Sequence, residues 1–314
     1  MNLTPKQPTF SIIVPTFGRP QQLATCLRSL AGLDYPRDCF EVLVVDDGNT
    51  TPPESIIHSF RYQLKIRLLS QSHAGPAAAR NTGAAQAKAQ FLAFTDDDCT
   101  VSTNWLQTLA ARFTKLPHCT IGGRVQNALP ENTYSTASQL LVSYLYTYYN
   151  VEPDRARFLT SNNLAVPKEL FHTVGGFDAL WMHAAGEDRE FCDRWLFYGH
   201  RLVHAPEVLV FHAHPLTLRT FWWQHFTYGQ GAYYFHSVRA QRTQEGIKVE
   251  PLRFYWRLLQ YPFSQGECRR GPTLASLLVI AQSANVVGFF WERKAGRTYT
   301  QKSIAYYTRT SKAQ

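Results

Sequence analysis

Gln90-Phe-Leu-Ala-Phe-Thr-Asp-Asp-Asp98 is a short apolar run that ends in three consecutive acids. Its length and aromatic content predict a buried strand over 90–95. The chain before it is built the same way. Phe10-Ser-Ile-Ile-Val-Pro15 is a β-branched run closed by proline, Glu41-Val-Leu-Val-Val45 a second buried strand, and Lys65-Ile-Arg-Leu-Leu69 a third. Helical patterns lie between them. Pro20 suits a first helical position ahead of Leu23, Leu27 and Leu30, and Ala77 to Ala89 is helical by propensity. After the acids, Trp105, Leu109, Phe113 and Leu116 share one helical face, with Ser102 or Thr103 as the expected N-cap. Strand alternating with helix predicts an α/β fold, a mainly parallel central sheet with helices on both faces.

The polar residues gather where three of these strands end. Thr16 to Arg19 follow the first, Asp46-Asp47-Gly48 the second, and Asp96-Asp97-Asp98 the fourth. In open α/β sheets ligands bind outside the carboxyl ends of strands, so the three clusters imply one cleft. Five carboxylates there raise one another's pKa unless a cation offsets them. Oxygen ligands suit Mg²⁺ or Mn²⁺, and Asp96-x-Asp98 is placed to hold a metal bound to a diphosphate. Asp46-Asp47-Gly48 reads either as a plain turn or as a nucleotide reader accepting a base N–H or ribose hydroxyl. Neither G-x-x-x-x-G-K-[ST] nor G-x-G-x-x-G occurs, which disfavours a P-loop NTPase and a dinucleotide fold. Arg80 and Asn81 could meet phosphate or base, and Arg80 reads equally as a surface charge.

The second half adds acidic and imidazole groups. Ser161-Asn-Asn-Leu-Ala-Val-Pro167 leads to Gly175-Gly-Phe-Asp178, and Gly186-Glu-Asp-Arg189 opens a helix with Phe191, Trp195 and Tyr198 on one face and Gly199 as its stop. Acids at a helix start can serve only the dipole. Here they also follow glycines that would let a substrate approach closely. Val208-Leu-Val-Phe211 is a strand that delivers His212, either a third metal ligand or a structural histidine.

Composition narrows the class. In 314 residues, 45% are hydrophobic and 18% charged, which excludes wholesale disorder, collagen and coiled coil. The net charge of +9 points to an anionic partner (nucleic acid, phosphorylated small molecule or anionic membrane) or simply to solubility. Cys26, Cys39, Cys99, Cys119, Cys192 and Cys268 are scattered singly, without zinc-like spacing, which fits a reduced cytosolic compartment. Met1 to Pro8 carries no apolar stretch of signal-peptide length, so export is not expected.

Taken in order, Val14-Pro-Thr-Phe17, Val45-Asp-Asp-Gly48, Ala79-Arg-Asn81, Thr95-Asp-Asp-Asp98, Ser161-Asn-Asn163, Gly175-Gly-Phe-Asp178 and Gly186-Glu-Asp188 resemble the signatures of the family 2 inverting glycosyltransferases. The resemblance runs from about Phe10 to His212. It implies a GT-A fold and a nucleotide-diphospho-sugar donor touching Pro15, Thr16, Asp46 and Asp47, with Arg19, Arg80, Asp96 and Asp97 completing that set. It implies a divalent metal on Asp96 and Asp98, with His212 as the candidate third ligand. It also implies Asp188 as general base, with Glu187 orienting the acceptor or the helix. Gly18 stands where the family often has Asn, leaving that contact to the backbone. The Q-x-x-R-W signature of processive synthases is absent, since Cys192-Asp-Arg-Trp195 keeps only two letters, so one sugar per encounter is expected. The rival classes are a sugar-phosphate nucleotidyltransferase, whose Gly-rich basic loop is missing here, and a non-catalytic sugar-nucleotide-binding or membrane-scaffold protein.

Beyond His212 the chain turns aromatic, with Phe221-Trp-Trp223, Phe226, Tyr228 and Tyr233-Tyr-Phe235, as does Leu140 to Tyr149. Packing of helices explains most of these rings better than sugar stacking or a bilayer interface. Thr273 to Trp291 is 19 residues without a charge, long enough to span a membrane, but Ser276, Gln282, Ser283 and Asn285 favour an interfacial or packed helix. The expected organisation is a catalytic domain over 1–215 (nucleotide-sugar half about 1–120, acceptor half about 121–215) and an aromatic, mostly helical extension over 216–314. Expected partners are the donor, a saccharide or lipid-linked acceptor and a peripheral membrane surface, with no nucleic acid. The expected location is the cytoplasm or the inner face of its membrane.

Overall fold

The apolar runs become the first strands. The computed structural model describes residues 9–180, 185–247, 249–266 and 269–295, so Cys268 lies outside the described residues. The first half contains β1 (Phe10–Thr16), α1 (Pro20–Ala31), β2 (Phe40–Asp46), α2 (Glu54–Phe60), β3 (Ile66–Ser70), α3 (Pro76–Gln86), β4 (Phe91–Phe94), β5 (Cys99–Val101) and α4 (Trp105–Lys115). The second contains β6 (Thr120–Asn127), α5 (Thr133–Tyr149), β7 (Leu164–Pro167), α6 (Lys168–Val174), α7 (Glu187–Phe197), β8 (Leu202–His212), α8 (Leu218–Thr243), α9 (Leu252–Ser264) and α10 (Gly271–Ala295).

All eight strands form one sheet in the order β3-β2-β1-β4-β7-β6-β8-β5. Pairings β1–β2, β1–β4, β2–β3 and β6–β8 are parallel, and β7 and β5 enter antiparallel, giving a mixed, mostly parallel sheet. The period-2 alternation of a strand explains its two covered faces. Ile12, Val14, Val42 and Val44 pack with Leu23, Leu27, Trp105 and Phe113 on one side. Ile13, Leu43 and Val45 pack with Ala79, Phe171, Phe191 and Trp195 on the other.

Four local expectations change. α3 stops at Gln86 rather than Ala89, because a buried pair, Ser11 Oγ donating to Glu41 Oε1 at 2.7 Å, takes the next amides. Lys88 N–H donates to Glu41 and Ala89 N–H to Ser11. α4 starts behind Asn104, and neither Ser102 nor Thr103 caps it; the Ser102 hydroxyl donates to Asn104 instead. Tyr198 is half exposed because α7 has already ended at Phe197. The strands β5 and β6 were not foreseen.

The pairing of β6 with β8 shifts register at Gly123/Arg124, and Asn163 fills the gap. Its amide donates to Arg124 O (3.0 Å) and Val208 O (2.9 Å), and its oxygen accepts Trp105 Nε1–H at 3.0 Å. A Cβ on Gly123 would lie 2.0 Å from Val208 O, so this bulge requires glycine.

After β8 the described chain is helical. Tyr144 of α5 donates to Phe254 O of α9 (2.7 Å), and its ring meets Phe254 and Tyr261. Much of the aromatic richness is therefore helix packing. α10 lies along α8 with Leu274, Leu278, Ala281 and Ala284 buried, while Val279, Val286, Val287, Phe290 and Trp291 are exposed. Among the described residues it is the one helix long and apolar enough to cross a membrane, with 33% of its most apolar window buried.

Candidate active site

The carboxyl ends of β1, β2 and β4 meet as the sequence implied, but the acids are largely neutralised by the chain itself. Asp46 Oδ1 accepts from Asn49 N–H (2.9 Å) and the Asn49 amide (2.7 Å). Asp47 Oδ1 accepts from Ala74 N–H and Gln71 Nε2, and its Oδ2 from Gly75 N–H, which pins the loop that launches α3. His73 adds a ring nitrogen 3.0 Å from Asp47 and stacks on Phe17 at 4.4 Å. Asp46 is thus engaged within its own loop and Asp47 by the segment that leads into α3. Pro15 is part of the buried strand β1, and Thr16 donates to Asp97 Oδ2 at 2.8 Å.

Two arginines meet the acidic triplet. Arg19 pairs with Asp97 and with Asp98. Arg80, buried at the start of α3, places Nη2 2.6 Å from Asp96 Oδ1 and Nη1 3.1 Å from Glu187 Oε1. Burial works against its charge, yet Asp96 and Glu187 more than offset that and hold the guanidinium above its ordinary pKa. Arg80 is buried, so the surface-charge reading does not describe it, and it lines the cavity described below. Asp97, fully enclosed, has its pKa raised by burial to about 7 despite Arg19.

Asp96 meets Arg80, and among the described residues the group that could hold an ion is Asp98, His212 and His214, whose ligand atoms lie within 4.8 Å of one another. His212 Nε2 is 3.3 Å from Asp98 Oδ1, and His214 Nδ1 3.5 Å from Asp98 Oδ2. Burial opposes ionisation of Asp98, but the two imidazoles and Arg19 hold its pKa well below the carboxylate range. One carboxylate with two imidazoles fits a divalent transition ion, and the nitrogen donors favour Mn²⁺ over Mg²⁺. His214 is the residue sequence reasoning missed. Its signal was the spacing His212-x-His214 leaving a strand, where alternate residues share a face.

Glu187 and Asp188 open α7 behind Gly186, which has φ +84°. A Cβ there would lie 2.9 Å from Gly231 O, so the space the glycine leaves is filled by the backbone of α8. Burial, then the Glu187 charge, raises the Asp188 pKa to about 7, while Arg189 N–H bonds its Oδ1 at 2.7 Å. Glu187 is itself raised by burial, Arg80 pulling the other way. Asp96, Glu187, Asp188, His212 and His214 all line one cavity of about 560 Å³.

The description "Glycosyl transferase family 2" belongs to the family model that matches residues 11–175. Glycosyltransferase AglE of Haloferax volcanii is 27% identical over 212 residues, 67% of this chain and 68% of that one. The pre-mycofactocin glycosyltransferase of Mycobacterium tuberculosis is 30% identical over 253 residues, 79% of this chain, which spans only 50% of that relative's length. Among solved structures, the mannosyltransferase PcManGT of Pyrobaculum calidifontis, in complex with GDP-Man and Mn²⁺, superposes with a TM-score of 0.60 at 20% identity. That match covers 97% of this chain and 84% of the other, so the GT-A architecture expected from the motifs is the observed one. With its family model extending over more than half the chain and across the strand ends that carry Thr16, Asp46 and the acidic triplet, the protein belongs to glycosyl transferase family 2.

Proposed function

We propose that the chain moves one sugar from a nucleotide-diphospho-sugar to an acceptor hydroxyl with inversion at the anomeric carbon. The observation that carries this reading is the cavity itself, which His212, His214 and Asp188 line together. The acceptor oxygen forms the new bond to the anomeric carbon from the face opposite the leaving group. The bond to the diphosphate oxygen breaks with its electron pair, and the hydroxyl proton passes to Asp188. A carboxylate raised to about 7 is a stronger base than an ordinary one and is about half ionised at pH 7. Arg80 holds Glu187 away from that proton and fixes the start of α7. Asp98, His212 and His214 are the residues that would hold Mn²⁺, which supplies Lewis-acid stabilisation of the departing diphosphate.

The test is incubation with a panel of UDP-, GDP- and dTDP-sugars and Mn²⁺, reading released nucleoside diphosphate. Release that requires Mn²⁺ and Asp188 supports the reading. Pyrophosphate formed from a nucleoside triphosphate and a sugar phosphate would replace it with nucleotidyl transfer. Donor binding without turnover across acceptors would leave a binding protein.

A further inference from the structure

The cavity is lined by both polar and apolar side chains. Its polar lining includes Asp188, Ser161, Asn162, Gln224 and Tyr228. Its apolar lining includes Val142 and Leu145 of α5, Phe254 of α9 and Phe289 of α10. The same lining includes side chains that are apolar yet exposed to solvent: Val249 at 78%, Phe290 at 56% and Val286 at 54%. A free saccharide would satisfy the polar lining and leave the apolar lining wet.

We propose that the acceptor is an amphiphile, with a hydroxylated head at Asp188, Asn162 and Gln224 and an apolar tail lying along Val142, Leu145 and Phe254 and leaving past Val249 and Val286. This rests on the transferase reading and names the class of molecule its acceptor side takes. The tail removes the exposed apolar rim from water, and the head brings a hydroxyl to Asp188. It also accounts for the continuity between the rim and the exposed face of α10, since Val286 and Phe290 belong to both.

The experiment uses the full chain with Mn²⁺ and a nucleoside diphosphate, titrated calorimetrically with methyl, butyl and octyl β-glucopyranoside below their micelle concentrations. Affinity should rise from methyl to octyl by up to about fourfold per buried methylene. Val142→Trp, which fills the apolar length, and Val249→Glu, at the exposed rim, should each cut octyl binding tenfold or more and leave the methyl glycoside unchanged. Val279→Ser, exposed on α10 but outside the cavity, should change neither. If Val142→Trp fails to fold, Val249→Glu carries the test, because its side chain supports no packing. Affinity independent of chain length, or equal gains in wild type and Val249→Glu, overturns the inference. Nucleotide-sugar binding is titrated in parallel. Donor bound with flat chain-length dependence removes the amphiphile alone, whereas no donor bound removes the transferase reading beneath it.

Discussion

Glu187 Oε1 lies 3.1 Å from Arg80 Nη1, a contact between residues 107 apart in sequence that ties the start of α7 to the start of α3. The same carboxylate is, after burial, the largest influence raising Asp188. Glu187→Gln keeps a hydrogen-bond acceptor for Arg80 and removes a charge beside Asp188. The acid limb of the kcat/KM profile should therefore move to lower pH in this variant. A limb that stays put, measured over pH 5 to 9, separates Glu187 from the titrating base.

Asp188→Asn should lower turnover by ~10²-fold or more while donor and Mn²⁺ binding persist, the pattern for loss of a general base. Stability should move the other way. A carboxyl whose folded pKa is raised to about 7 binds more protons folded than unfolded, so wild-type stability falls as pH rises from about 4 to 7. The amide escapes that loss. Urea unfolding free energies should then favour Asp188→Asn at pH 8 by up to about 4 kcal/mol and converge with wild type near pH 3.5.

Asp98→Asn and His214→Ala should each weaken Mn²⁺ binding by tenfold or more, read by the loss of the free-ion electron paramagnetic resonance signal on titration. Asp96→Asn should keep most of that affinity, because Asp96 faces Arg80 rather than the two imidazoles. Equal losses in all three variants would restore the Asp96-x-Asp98 arrangement.

Asn163→Ala should destabilise the fold by about 2–4 kcal/mol. It leaves the Trp105 indole N–H and two backbone carbonyls in the β6–β8 bulge without their partner. Thermal unfolding followed by circular dichroism measures it. A loss confined to activity, with an unchanged midpoint, would give Asn163 a role at the substrate instead.

Arg80→Met should cost about 3 kcal/mol or more, because Asp96 and Glu187 lose the buried cation between them. Arg80→Lys should restore only part of it, since a single ammonium cannot span both carboxylates as the planar fork does. Denaturant midpoints at pH 7.5 rank the three proteins.

The first half of the fold was legible because β1, β2 and β4 are continuous apolar runs, the mark of strands covered on both faces. β6 was not, because Gly122 and Gly123 interrupt its pattern and belong to a bulge that exists only once β8 and Asn163 are beside it. β5 has three residues, too few to carry a period. At the site, the acids, His212 and the Glu187-Asp188 pair could be read from residue type and place along the chain. Which cation each acid meets could not, because Arg19 and Arg80 reach theirs across 79 and 16 residues of sequence. His214 lay past the end of its strand, where apolar patterning no longer guides the eye.

Gly186 and Gly231 meet with no room for a methyl group on the first of them. The acceptor-side helix α8 therefore sits directly on the peptide that sets the direction of Asp188. The C-terminal helices are thus no interchangeable cover. Grafting them from a relative with a bulkier residue at either glycine would push α8 off the peptide that carries Asp188, so a chimera built with a relative's C-terminal helices must carry both glycines across together.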